Sequence, residues 1–184
     1  MEKPKNYQHA LIIGGTGMLK AASLAIIDKY EKTTLIARNL DRLEQIAINP
    51  KTNPISLNYT DSNMLKAALK SSTQKYGSFD LAIIWIHSTA PQAPYIAAEF
   101  VNADYYHLLG SSYGKPGEDN TERLAKFRDF KNLNYHEIIL GFILEDNASR
   151  WLSHNEISTG VLKAIKQQQK SFVVGTLSPW SARP

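Results

Sequence analysis

HALIIGGTGMLKAASLAII (residues 9–27) joins a short apolar run to a glycine-rich turn and then to a segment with helical spacing. The run ALII has the length and composition of a buried strand, and apolar residues recur at helical spacing over Met18–Tyr30. Gly14, Gly15 and Gly17 lie between the two. Glycine permits unusual dihedrals and removes the side chain that would hold a ligand away from the backbone. This order predicts the phosphate-binding turn of a dinucleotide-binding fold, with a tight turn that binds nothing as the alternative.

The rest of the chain alternates between strand-like and helix-like segments. After the first strand at 10–13 and the first helix at 18–30, strands are predicted at 33–37, 55–58, 81–86, 105–110, 136–144 and 172–176, and helices at 40–48, 62–76, 93–101 and 153–169. Asp61 and Gly77 are placed to cap the third helix, and Ser153 with Glu156 forms a capping box. The alternation predicts an α/β fold: a doubly wound, mostly parallel sheet of about seven strands with strand one central, in a Rossmann-type three-layer sandwich. Residues 1–184 are expected to form a single NAD(P)-binding Rossmann-like domain.

Composition excludes several classes of protein. The 184 residues are 43% hydrophobic and 21% charged, which is typical of globular proteins. No apolar run approaches the roughly 20 residues of a membrane span, and the first ten residues carry no apolar signal region, so neither a membrane partner nor export is expected. The absence of cysteine excludes disulfides, thiolate metal sites and cysteine nucleophiles, and fits a cytoplasmic location. The net charge of +4 forms no basic stripe, so no nucleic-acid partner is predicted; no metal site is predicted either.

Five stretches follow one another as they do in a known family. They are LIIGGTGMLKAASLAI, TLIARNLDRLEQI, ISLNYTDSNMLKAAL, FDLAIIWIHSTAP and YHLLGSSYGKP. Together they resemble the short-chain dehydrogenase/reductase family over almost the whole chain, and they look closest to a small, divergent branch of it. The resemblance implies a nicotinamide dinucleotide cofactor and an oxidoreductase activity.

In that family the glycine turn holds the pyrophosphate of the cofactor. The resemblance therefore assigns cofactor binding to the turn residues Gly14, Gly15, Thr16, Gly17, Met18 and Leu19. The family's usual third glycine is Lys20 here. This lysine either faces solvent or reaches a phosphate.

The end of the second strand indicates which cofactor fits. An NAD site usually has an acidic residue there for the ribose hydroxyls, but this chain has ARNLDR, with Arg38 and no acid before Asp41. A guanidinium pairs with a 2′-phosphate, which a carboxylate would repel. Arg38, helped by Asn39 and Arg42, favours NADP over NAD; an ordinary surface arginine is the alternative.

The resemblance assigns further cofactor contacts to three later segments. The resemblance implies that Asn58 and Tyr59 lie beside the adenine and that the backbone of Ile86–Ser88 lies beside the ribose. It also implies that Gly141 and Phe142 lie beside the nicotinamide. The ribose segment comprises Ile86, His87 and Ser88.

The catalytic residues of the family are matched only in part. The family pairs a serine after the fifth strand with a Tyr-x-x-x-Lys helix, in which the tyrosine is the general acid. Ser111 aligns with the serine, but no tyrosine here has a lysine four residues later, and the expected pair falls near Leu124 and Arg128. Tyr113 with Lys115, or His87, are candidate substitutes; loop residues without chemistry are the alternative. Ser111 and Tyr113 are the predicted catalytic residues.

Two functional classes follow. The first is an NADP-dependent oxidoreductase acting on an unknown small carbonyl compound or alcohol, and the second is a catalytically inactive NADP-binding sensor or interaction protein. Arg150 and Trp151 either meet the substrate or anchor a loop. The tail LSPWSARP (residues 177–184) packs over the site or on a neighbouring subunit, which leaves a homo-oligomer open.

Overall fold

The computed structural model describes residues 8–146 and 148–184. The first ten residues, in which no export signal is predicted, lie largely outside these ranges. The strands are β1 His9–Ile13, β2 Lys32–Ala37, β3 Thr52–Ser56, β4 Phe79–Ile84, β5 Val101–Gly110, β6 Asn134–Leu140, β7 Phe142–Glu145, β8 Ala148–Trp151 and β9 Ser171–Val174. Seven of them form one sheet in the order β3-β2-β1-β4-β5-β6-β9, and every neighbouring pair in it is parallel. β7 and β8 form a separate antiparallel pair.

Helices connect these strands. They are α1 Lys20–Lys29, α2 Leu40–Ala47, α3 Ser62–Tyr76, α4 Ala93–Ala98, α5 Thr121–Arg128 and α6 His154–Gln167, with short 3₁₀ turns at Ser111–Gly114 and Trp180–Ala182. Buried residues of α1, α2 and α6 pack on one face of the sheet, and those of α3, α4 and α5 pack on the other. The predicted doubly wound α/β fold is confirmed. β1 is an interior strand, one place from the middle strand β4.

β1 shows why both faces are covered. Ala10 and Ile12 point into the core beneath α1 and α6, whereas Leu11 and Ile13 point into the core beneath α3 and α4. All four are fully buried. Side chains alternate between the two faces of a strand, so a run that is apolar at every position needs helices on both sides.

Three strands differ from the sequence prediction by more than two residues. β5 begins at Val101, which is predicted to end the preceding helix, rather than at residue 105. β3 begins at Thr52, before Pro54, rather than after it; a proline is tolerated because β3 lies at the edge of the sheet. The predicted strand 136–144 is two strands. The chain leaves the sheet at Gly141, whose N–H donates to the Val174 carbonyl, and then turns back as the β7–β8 hairpin.

The predicted helix caps are present. The Asp61 carboxylate accepts from the backbone N–H groups of Asn63 and Met64, at 3.0 Å each. Gly77 ends the same helix with φ 93°. Ser153 and Glu156 form the reciprocal capping box of α6.

The glycine turn is closely packed on its inner side. Gly14 has φ 78°, and a Cβ added to it would collide with the Trp85 carbonyl oxygen at the end of β4. A Cβ on Gly15 would come within 2.5 Å of both Ile12 Cγ2 and Ser23 Oγ. The Ser23 hydroxyl donates to the Gly15 carbonyl at 2.9 Å, which ties α1 to the turn. Gly14 and Gly15 are therefore required by packing and backbone geometry alone.

Replacing Gly15 with alanine should destabilise the fold. The added methyl group would overpack a closed site, so Gly15→Ala is expected to lower the free energy of unfolding by about 1–3 kcal/mol. Gly17→Ala is the matched control, since the nearest atom to its added Cβ is Arg42 Nη1 at 4.0 Å. Urea denaturation measures both changes. Equal stability of the two variants would contradict this account of the turn.

Candidate functional site

The sequence-predicted residues collect along one edge of the sheet. All seven strands of the main sheet are parallel, so their carboxyl ends lie together, and the glycine turn, Ile86 and Ser111 follow the ends of β1, β4 and β5. Ligands of doubly wound folds bind in the crevice outside these ends. The candidate site is therefore built along this edge.

The outer side of the glycine turn is open. Among residues 8–146 and 148–184, only the Arg42 guanidinium approaches the space above Gly17, so a ligand can lie against the backbone there. The ammonium group of Lys20 donates to Gln45 at 3.4 Å on the neighbouring helix and remains exposed. The Leu19 side chain is fully buried in the core, where it anchors α1 to the sheet, so its predicted cofactor contact falls to its backbone.

Arg38 and Tyr59 stack at the carboxyl ends of β2 and β3. The guanidinium carbon of exposed Arg38 lies 5.4 Å from the centroid of the Tyr59 ring, which is itself buried. The Asn39 side chain accepts from the Arg42 N–H at 2.8 Å and caps α2, so its oxygen is committed to the helix. The Asn58 oxygen is likewise used by the Thr60 N–H, at 3.2 Å. The Arg38 guanidinium has no carboxylate partner among residues 8–146 and 148–184.

A large cavity of about 560 Å³ opens between the ends of β4 and β5 and the helices α4 and α5. Its walls include Ile86, His87, Ser88 and Tyr113. The connection between β5 and β6 holds only a short 3₁₀ turn and the eight residues of α5. The cavity lies beside this short connection.

A buried polar network forms the base of this cavity. Arg123 pairs with Glu137, and its Nη1 donates to the Tyr135 hydroxyl at 2.6 Å. The hydroxyl lies 3.0 Å from Nδ1 of His107. The guanidinium also lies over the ring of Tyr113, 5.3 Å from its centroid, and its buried Nε–H has no hydrogen-bond partner among the described residues.

The network bears on the tautomer of His107. The Tyr135 oxygen accepts from Arg123, and the Tyr135 proton can be donated to His107 Nδ1 in the tautomer that carries the imidazole proton on Nε2. Burial, reinforced by the Arg123 charge, lowers the pKa of His107 from 6.5 to about 3. Burial also raises the pKa of Tyr135 well above its usual value. Both groups are therefore neutral at physiological pH.

Ser111 opens onto a second, smaller cavity of about 260 Å³. This cavity is lined by Gly110, Ser111, Leu140, Gly141, Trp151, Leu152 and Ile157. Tyr113 lines the larger cavity instead, and Gly110 is common to the two. The predicted catalytic residues are thus neighbours along the chain, but they face different cavities.

The predicted nicotinamide contact at Phe142 needs correction. Its side chain is fully buried, and its backbone N–H and C=O are both bonded to Thr176, at 3.0 and 2.8 Å. Nothing on Phe142 remains for a ligand. Gly141 lines the smaller cavity, but its inner side is closed, since a Cβ there would collide with the Thr176 carbonyl.

Arg150 anchors the β7–β8 hairpin to α6. Its Nε donates to Glu145 at 2.6 Å and its Nη1 to Glu156 at 2.9 Å. These bonds favour the anchoring interpretation of Arg150, and the paired arginine holds the pKa of Glu156 low, at about 2. Trp151 beside it is 47% exposed and lies against a cation of the tail.

That cation is Arg183, which sequence reasoning missed. Its Nε donates to Ser111 Oγ at 2.8 Å, and its guanidinium carbon lies 4.9 Å from the ring of Trp151 and 5.3 Å from the ring of Trp180. Nothing in the local pattern of the tail indicates this contact. The network around His107 was missed as well, although a histidine inside an otherwise apolar strand is a visible signal.

The described part of the chain contains no candidate membrane span and no candidate metal-binding cluster. No helix within it combines the length and apolarity that a bilayer crossing requires. Its His, Cys, Asp and Glu side chains form no group of three or more that is arranged to hold a metal ion.

Comparison by sequence alone finds nothing: no family model matches the chain, and no curated protein is significantly similar to it. Comparison by structure finds short-chain oxidoreductases. A short-chain type dehydrogenase/reductase from Mycobacterium marinum superposes with a TM-score of 0.70 at 14% identity, covering 96% of each chain. A metagenomic short-chain oxidoreductase in complex with NADP gives 0.63 at 13% identity, covering 92% of this chain and 95% of the other.

A third similar structure is an apo short-chain oxidoreductase from Clostridium thermocellum, with a TM-score of 0.66 at 15% identity and 90% coverage of each chain. The fold of this chain is therefore that of the short-chain dehydrogenases/reductases, as the sequence resemblance implied. Identities this low carry the fold and leave function to the residues of the site.

The buried imidazole predicts a pH dependence of stability. Between pH 6.5 and about 4.5 the unfolded chain binds a proton on residue 107 and the folded chain does not, so the free energy of unfolding falls as the pH falls. His107→Gln retains a hydrogen-bonding side chain that does not titrate. Its stability should fall less over this range, by roughly 1–3 kcal/mol.

Urea denaturation at several pH values measures this difference. Burial also lowers the pKa of His9, but that residue is present in both proteins and cancels in the comparison. Parallel stability curves for the two proteins would show that His107 takes up its proton in the folded state.

Proposed function

We propose that this chain binds NADP(H) and uses it to transfer hydride to or from a small carbonyl compound or alcohol. The observation that carries the proposal is the Arg38 guanidinium, stacked 5.4 Å from the Tyr59 ring centroid at the end of β2. A guanidinium at this position pairs with a 2′-phosphate and offers a flat face to adenine. Arg42, beside the open space over Gly17, adds a second positive charge on the path to the pyrophosphate.

The residues of the turn fit such a cofactor. The space above Gly17 is open, and α1 begins three residues later at Lys20, whose N–H donates to the Gly17 carbonyl at 3.0 Å. Ile86, His87 and Ser88 border the cleft further along, and Ser111 and Gly141 border the smaller cavity. When bound, NADPH supplies a hydride for the carbonyl carbon.

Ser111 is the proposed catalytic contact. Its oxygen accepts from Arg183, so its own proton is free to hydrogen-bond the carbonyl oxygen of a substrate. This bond orients the carbonyl group and polarises it. The chain has no Tyr-x-x-x-Lys pair, so water is proposed as the source of the proton that the carbonyl oxygen takes up.

Arg38 is expected to decide the choice of cofactor. The unmodified protein should bind NADPH more tightly than NADH. Arg38→Ala should weaken NADPH binding by about 1.5–3 kcal/mol, the range of a hydrogen bond to a charged group, and should change NADH binding little. Titration followed by the fluorescence of the reduced cofactor measures both affinities.

Two variants serve as controls for this titration. Arg128→Ala removes an exposed arginine from the end of α5 and should leave both affinities unchanged. Gly17→Val places a side chain in the open space above the turn and should abolish binding of both cofactors while the protein stays folded. Equal affinities of the unmodified protein for NADPH and NADH would refute the assignment.

A second candidate function is a cofactor-binding protein without turnover. The contact between Arg183 and Ser111 favours it, because the tail covers the hydroxyl that a substrate would need. If the chain is an oxidoreductase, its turnover of simple neutral ketones and aldehydes should be slow. A positioned general acid contributes about 10²–10⁴-fold in rate, and neither Leu124 nor the permanently charged Arg128 can replace it.

A screen of simple carbonyl compounds with NADPH tests this expectation. The variants Ser111→Ala and Tyr113→Phe run beside the unmodified protein. Rapid turnover that both substitutions leave unchanged would contradict the proposed site. Tight NADPH binding without any turnover would favour the second candidate.

A further inference from the structure

The tail after β9 is held in place by the body of the fold. Thr176 exchanges two backbone hydrogen bonds with Phe142, at 3.0 and 2.8 Å. The side chain of Leu177 fills the space that a Cβ on Gly114 would need. The 3₁₀ turn that follows ends with the Arg183 N–H bonded to the Trp180 carbonyl at 3.1 Å. These contacts carry Arg183 back to the end of β5.

The guanidinium of Arg183 is oriented by three contacts. Its Nε donates to Ser111 Oγ at 2.8 Å, and two indole rings flank it, those of Trp151 at 4.9 Å and Trp180 at 5.3 Å. Ser111 itself is 5% exposed, so the hydrogen bond joins a surface cation to a buried hydroxyl. The bond through Nε and the two ring contacts restrict where the two Nη groups lie, because a guanidinium is planar.

The charge on Arg183 has no partner within the described part of the chain. The acids on the nearby hairpin and helix, Glu145 and Glu156, are both held by Arg150, at 2.6 and 2.9 Å. The Nη groups of Arg183 make no hydrogen bond to residues 8–146 or 148–184. An oriented arginine without an acid beside it is a ready acceptor for an anion.

The cavity next to this arginine has the matching composition. It measures about 260 Å³, and apart from Ser111 its walls are glycine, leucine, isoleucine and tryptophan. Ser111 Oγ accepts from Arg183 and therefore offers its proton to a ligand. Ser111 lines the cavity and Arg183 is bonded to Ser111, so a neutral and a charged donor lie side by side there.

We propose that Arg183 binds the carboxylate of the substrate while Ser111 contacts its carbonyl oxygen, so that the site takes small oxo acids or hydroxy acids rather than neutral carbonyl compounds. A carboxylate matches the guanidinium fork with two parallel hydrogen bonds, whereas a neutral carbonyl leaves the charge unpaired. The substrate class rests on the proposed hydride transfer. The carboxylate site does not.

Pyruvate and its neutral ester methyl pyruvate test the proposal directly. Both contain the same carbonyl group, and only pyruvate is an anion. Their binding is measured by calorimetry and by indole fluorescence, in buffer free of carboxylate and phosphate, with and without saturating NADPH. The unmodified protein should bind pyruvate at least about 10-fold more tightly than the ester, the lower end of the effect of a charged hydrogen bond.

Three variants complete the design. Arg183→Gln should lose about 10-fold or more in pyruvate affinity and keep its affinity for the ester. Arg183→Lys should recover part of the loss, since it restores the charge without the fork. Arg128→Gln removes an equal charge from α5 and should bind both compounds as the unmodified protein does.

Two outcomes would overturn the proposal. One is equal binding of pyruvate and its ester by the unmodified protein. The other is tighter binding of both compounds by Arg183→Gln, which would show that Arg183 covers Ser111 rather than recognising a ligand. Pyruvate binding that depends on Arg183 in a protein that does not bind NADPH would refute the proposed function and leave the carboxylate site intact.

Discussion

The fold depends on the close approach of three backbone segments at the end of β1. Gly14 lies against the Trp85 carbonyl at the end of β4, and Gly15 lies against α1 through Ser23. No residue with a Cβ fits at either position without displacing a strand or the helix. Because the turn closes in this way, α1 starts directly above the sheet edge, and the ends of β1 and β4 remain level, with Ile13 beside Ile84. The open side of the same turn, above Gly17, is where we propose that the cofactor pyrophosphate binds.

The short connection between β5 and β6 determines the rest of the site. A helix of eight residues covers little of the sheet, and a cavity of about 560 Å³ remains beside it. Burying Arg123 there is costly unless the charge is paired, and Glu137 and Tyr135 provide that pairing. The neutral His107 completes the network. The network does not satisfy the Nε–H of Arg123, which has no hydrogen-bond partner among the described residues.

Four arginines along the sheet edge fall into two groups. Arg123 and Arg150 pair with acids and hold elements together. Arg38 and Arg183 stack on aromatic rings and have no acidic partner in residues 8–146 and 148–184. Pairing makes an arginine structural, whereas stacking orients it and leaves its charge available. The two unpaired arginines lie apart along this edge, one beside β2 and the other beside the end of β5.

The sequence by itself determined the alternation of strands and helices, the caps at Asp61 and Ser153 and the position of the glycine turn. Each of these is written in residues that are close along the chain, where propensity, periodicity and capping act directly. The tertiary structure alone decided that the strand predicted over 136–144 ends at Gly141, because the carbonyl of Thr176 occupies the space beside it. It alone decided that Phe142 is closed to ligands and that Arg183 reaches Ser111, 72 residues away. Such contacts depend on how separate elements pack against one another, and packing leaves no periodic signal in a single chain.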